Sequence, residues 1–86
     1  MMIQGFKMEF AFQAHHYAAF VIEAVANQFE VFVTDPYLIS KFGATHMFRF
    51  QENAEIKFSY MSERVNEEFQ LSIAAELNDL LQRSSR

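Results

Sequence analysis

Imidazole titrates near neutrality and is also a good nucleophile toward phosphorus. The chain has three, His15, His16 and His46. The first two stand at a junction. An alternating segment, Phe6-Lys7-Met8-Glu9-Phe10-Ala11-Phe12-Gln13, runs into Ala14-His15-His16-Tyr17 and then into an almost wholly apolar stretch from Ala18. Read as a strand feeding a helix, this order puts the histidine pair where first-turn N–H groups lack partners and the helix dipole favours negative charge. A phosphoryl group on a ring nitrogen of His15 would meet those amides near His16. The plainer alternative is that one histidine caps or packs the helix start and the other is solvated.

The remaining chemistry is thinner. A three-imidazole metal site would need His46 beside the pair, yet adjacent histidines diverge and no carboxylate stands at ligand spacing, so no metal and no cofactor are expected. Glu67-Glu68 and Glu52 with Glu55 read as solvated faces. Gly5 and Gly43 are the only glycines, which excludes a glycine-rich phosphate loop. Ser59, Ser62 and Ser72 have no base at a recognisable spacing.

Several elements must position these residues. Phe6, Met8, Phe10 and Phe12 share one face of a half-buried strand. Residues 18–28 are rich in helix formers, free of Gly and Pro, and apolar around most of a helical circumference, which predicts a heavily buried helix fraying at Asn27 and Gln28. Residues 30–34 predict a second strand, stopped by Asp35-Pro36. Residues 37–43 fit two states: a short helix framed by Asp35, Pro36 and Gly43, or a strand alternating Leu38-Ser40-Phe42. Residues 45–50 are either a short helix or the hairpin partner of a strand over 56–60. Val65, Phe69, Ile73, Leu77 and Leu81 recur every four residues and predict a final amphipathic helix with Ser62 as its N-cap. The expected class is α+β: a single domain over residues 1–86, an open sheet with helices on one face.

Composition narrows the function. Eighty-six residues lie near the lower limit for a domain that folds alone, and the absence of cysteine excludes disulfides and thiolate metal sites. Half the residues are hydrophobic and eleven are phenylalanine, each worth about 2–3 kcal/mol when buried. A net charge of −4 with scattered basic residues argues against nucleic-acid binding. The most apolar stretch, residues 18–26, is interrupted by Glu23 and is too short to span a bilayer. With no targeting pattern at the start, the expectation is a soluble cytoplasmic protein without membrane insertion.

Taken together, a strand, a histidine opening an Ala-Ala-containing helix and a following strand resemble the HPr family, the histidine phosphocarriers of the phosphoenolpyruvate-dependent sugar phosphotransferase system. The family motif Gly-Leu-His-(Thr or Ala)-Arg-Pro-Ala-Ala is met by Gln13-Ala14-His15-His16-Tyr17-Ala18-Ala19, and Ala-Lys-Ser-Leu-Phe-Lys-Leu by Ala44-Thr45-His46-Met47-Phe48-Arg49-Phe50. The resemblance spans nearly the whole chain. It implies an HPr-like open-faced β-sandwich with a four-stranded antiparallel sheet. It makes His15 the phosphoryl acceptor, puts His16, Tyr17 and Ala18 at the phosphate- or partner-binding surface, and puts His46 at the position where the family carries a regulatory serine. Tyr17 and Ala18 replace the family's arginine and proline. The missing guanidinium is worth about 1.5–3 kcal/mol of phosphate binding. Three readings follow: a divergent HPr-like regulatory or protein-interaction module, with phosphotransferase components as partners; a working phosphocarrier through His15; and an unrelated α+β interaction domain that buries its phenylalanines in a homo-oligomer.

Overall fold

A computed structural model describes residues 5–51, 58–61 and 66–84, with side chains described as far as 80. The element order is β1 (Gly5–Phe12), β2 (His15–Val25), β3 (Gln28–Val33), α1 (Pro36–Phe42), β4 (Thr45–Phe50), β5 (Phe58–Tyr60) and α2 (Glu67–Ser84). Among the described residues the sheet has five strands in the order β1-β2-β3-β4-β5, every neighbour antiparallel. The α+β class is as expected. The sheet has five strands rather than four, and the helix expected over residues 18–28 is instead the greater part of the eleven-residue strand β2, a two-residue turn and the first residue of β3.

Local chemistry explains the elements that are chain-encoded. Asp35 caps α1 through its carboxylate, which accepts from the Leu38 amide at 3.2 Å, and Pro36 opens the first turn. Gly43 (φ 93°) ends the helix, its amide donating to the Ile39 carbonyl at 2.9 Å. Of the two states open to residues 37–43 the helix is the one adopted, as far as Phe42 with Gly43 as its cap, and residues 45–50 are the hairpin partner of β5. Helix α2 is capped by Asn66, whose side-chain oxygen accepts from the Phe69 amide at 2.9 Å. Ser62, the expected cap, lies outside the described residues.

The register sorts side chains onto two faces. On one, Met8, Phe10 and Phe12 of β1, Ala19 and Val21 of β2, Phe29, Val31 and Val33 of β3, and Phe48 and Phe58 are buried. Helix α2 covers this face, packing against the edge strands β1 and β5. Phe69 sits at the centre with its ring against Phe10, Phe12, Phe42 and His46. Each such ring adds about 2–3 kcal/mol of burial. The opposite face has no covering element among the described residues.

Candidate functional site

The histidine pair sits in a β-hairpin, not at a helix start. Phe12 pairs with His15, so Gln13 and Ala14 form a two-residue loop, both with positive φ (51° and 64°). Strand β2 begins directly at His15, so its amides are not the free first-turn donors expected near His16. Because β2 is a strand, its side chains alternate. His15 and Tyr17 lie on the helix-covered side with ring centroids 6.3 Å apart, and Tyr17 also meets Phe10 at 5.9 Å. His16 and Ala18 face the uncovered side, opposite Ala11 and Glu9. Both imidazoles are exposed, but the four residues expected to form one surface are split between two.

His46 is elsewhere and serves the core. It is 1% exposed, on the buried side of β4. Nε2 lies 3.0 Å from the Gly43 carbonyl, which can only accept, so Nε2 carries the proton. Nδ1 therefore accepts from the Tyr60 hydroxyl at 2.7 Å. Burial pushes this imidazole below its ordinary pKa, and the bond to Gly43 opposes that shift. The ring is thus held neutral as a hydrogen-bonded core residue that also closes the end of α1. Among the described residues no group of three or more His, Cys, Asp or Glu could hold a metal ion.

Another polar group is poorly served. Gln70, 7% exposed on α2, has a side-chain Nε2 that is buried and, among the described residues, without a hydrogen-bond partner. It borders a cleft of about 280 Å³ with Phe48, Phe58, Tyr60, Glu67 and Leu71 among its lining residues. The signal in the sequence was a polar residue three before Ile73, on the buried stripe of a helix.

The uncovered sheet face is the feature that sequence reasoning missed. Cross-strand pairing arranges it in rows: Lys7-Phe20-Phe32-Thr45, then Gly5-Ile22-Glu30-Met47, with Glu9-Ala18 on the other side. Phe20 keeps 41% of its surface exposed and Met61, beyond the end of β5, keeps 38%. The Met61 amide donates to the Met47 carbonyl at 2.8 Å, so the row runs on to Met61. Ile22, Phe32 and Met47 are only partly covered. Strands about 4.8 Å apart and rows recurring about every 6.7 Å allot about 32 Å² to each position, so Ala18, Phe20, Ile22, Phe32, Met47 and Met61 together project roughly 200 Å². These positions adjoin one another across β2, β3 and β4 rather than being scattered singly. Lys7, Glu9 and Arg49 lie around it and Glu30 stands within it, between Ile22 and Met47, so the face carries both signs of charge. Among the described residues no helix is long and apolar enough to cross a membrane. No family model, no curated protein and no solved structure matches this chain.

Proposed function

We propose that the chain is a non-catalytic protein-interaction module whose working surface is the uncovered face of the sheet. The observation that carries this reading is Phe20, a large aromatic side chain left 41% exposed, with Phe32 beside it across the strands and Ile22 two residues along its own strand. Two-layer domains bury one sheet face against helices and normally leave the other polar. Here the second face sets Phe20, Phe32 and Ile22 side by side, with Lys7, Glu9, Glu30 and Arg49 among and around them, the mix of apolar and charged groups found at protein interfaces. A membrane-binding or nucleic-acid-binding face would carry a single-sign basic field, whereas this one mixes Lys7 and Arg49 with Glu9 and Glu30. The tie to the sugar phosphotransferase system rests on the sequence resemblance alone.

Site-specific photo-crosslinking in expressing cells tests the surface. A benzophenone side chain at position 20 is expected to yield an adduct of discrete mass, and the same group at Glu68 on the exposed side of α2 none. Equal yields from the two positions, or none from position 20, would remove the basis for this assignment.

A further inference from the structure

We infer that the partner for this face is a second copy of the same chain; the inference rests on the interaction-module reading and gives it its occupant. The face carries a projection and a matching depression two residues apart on one strand. Phe20 projects. Its ring leans over Gly5, where even a Cβ would come within 2.8 Å of Phe20 Cε1. The lean leaves the surface above Ala18 open as a depression of about 160 Å³, bordered by Lys7, Met8, Glu9 and Ala18. The depression is open on its outer side, so an aromatic ring laid on Ala18 would be covered on one face and flanked by the stems of Lys7 and Glu9. The Thr34 hydroxyl, donating to the Ala18 carbonyl at 2.9 Å, ties the far side of β2 to the end of β3.

Symmetry makes these features self-complementary. Consider a two-fold axis lying in the interface, across the strands, between the Lys7-Phe20 row and the Glu9-Ala18 row. It sets each Phe20 over Ala18 of the second copy, and each Lys7 over Glu9 of the second copy. One operation thus fills both depressions and pairs both sets of charges, as an isologous interface requires. Ile22 then lies over His16 and Gly5 over Ala11, small or partly apolar residues that let two sheets approach to about 10 Å. Met47, Met61 and Arg49 fall at the rim. Overlap of β1, β2 and the adjoining part of β3 covers roughly 400 Å² per copy in projection, about 800 Å² for the pair. That is the range of reversible contacts rather than permanent ones, so the dimer forms at micromolar or weaker affinity.

Sedimentation velocity of the purified chain from about 5 to 500 µM is expected to show a rapid monomer–dimer equilibrium. Phe20→Glu should weaken it by on the order of thirtyfold or more, as loss of a central aromatic anchor does. Ala18→Phe fills the depression with a residue that suits an exposed strand position, and should weaken association similarly while circular dichroism stays unchanged. Lys7→Glu should cost about tenfold, with the Lys7→Glu/Glu9→Lys double variant recovering most of it. The chain lacks cysteine, which permits a direct geometric check: a mixture of Lys7→Cys and Glu9→Cys chains should form an intermolecular disulfide about ten times faster than either alone. A wild-type chain monomeric at 500 µM overturns the second copy as partner, as does a dimer indifferent to both Phe20→Glu and Ala18→Phe. A discrete adduct to a different protein from position 20 would then leave the module reading standing, whereas no adduct takes both down.

Discussion

The turn that joins β1 to β2 holds two residues in a conformation that L-amino acids resist. Gln13 and Ala14 have φ of 51° and 64°, and the Phe12–His15 pair closes the loop around them. Two-residue hairpin loops with positive φ at both centres match the right-handed twist of their strands, which is why Asn-Gly dominates there. Alanine has no side-chain group to stabilise this region, and the clash of its Cβ costs roughly 1–2 kcal/mol. Replacing Ala14 by glycine removes that clash. It also loosens the unfolded chain, which takes back about 0.4–1 kcal/mol.

The net expectation for Ala14→Gly is a gain of about 0.5–1 kcal/mol. For a domain of this size that raises the thermal midpoint by roughly 2–8 °C. Ala14→Val, which forces a β-branched side chain into the same region, should move the midpoint the other way by a larger amount. The second hairpin supplies the control. Asn27 has φ 67°, and asparagine tolerates that region, so Asn27→Gly should change stability by no more than a few tenths of a kcal/mol. Thermal unfolding followed by circular dichroism at low concentration, where the chain is monomeric, separates these cases. An Ala14→Gly variant that melts lower than wild type would refute the reasoning, because it would mean that the turn is not strained where the backbone says it is.

Two further predictions concern buried polar groups. His46 is held neutral, with a folded-state pKa below the 6.5 of the unfolded chain. Its contribution to stability is therefore complete above 6.5 and is lost as the pH falls from 6.5 toward the folded-state value, where the unfolded chain binds the proton first. Urea midpoints between pH 7.5 and 5 should fall more steeply for wild type than for His46→Gln, and parallel curves would show that this imidazole does not titrate with unfolding. Gln70→Leu removes an amide donor that is buried without a partner among the described residues. It should stabilise the chain by about 1–2 kcal/mol in chemical denaturation, and a loss of that size would show that the amide has a partner after all.

The sequence made some elements legible because their signals are local. The Asp35-Pro36 start and Gly43 stop of α1, the period-two strand β1 and the four-residue repeat of α2 each need only their own residues to be read. The strand β5 and the hairpin partner before it were half legible, as alternatives that only pairing could decide. The hairpin tip was not, because Gln13-Ala14 lacks the Asn-Gly or Asp-Gly pair that announces such a turn. Once the turn was missed, the histidines after it were assigned to a helix start, and the anion site built on that start went with it. Register decides which side of the sheet each imidazole faces, and register is a property of two strands, not one.

The misreading of β2 has a physical cause that bears on function. Residues 18–28 carry a helix-like pattern because they are apolar around most of a helical circumference, and in a half-buried strand one side should be polar. In β2 the residues facing α2, Ala19 and Val21, are buried as a core requires. Those facing away, Ala18, Phe20 and Ile22, are just as free of charge, yet among the described residues nothing lies over them. A strand that is apolar on both faces belongs in the middle of three layers, and the described residues supply two. Leaving a phenylalanine on the outer face earns nothing for the isolated fold, since much of its ring stays in water. The pattern becomes coherent if the third layer arrives from outside the chain, and the Phe20 projection beside the Ala18 depression gives that layer the shape of the same sheet turned over.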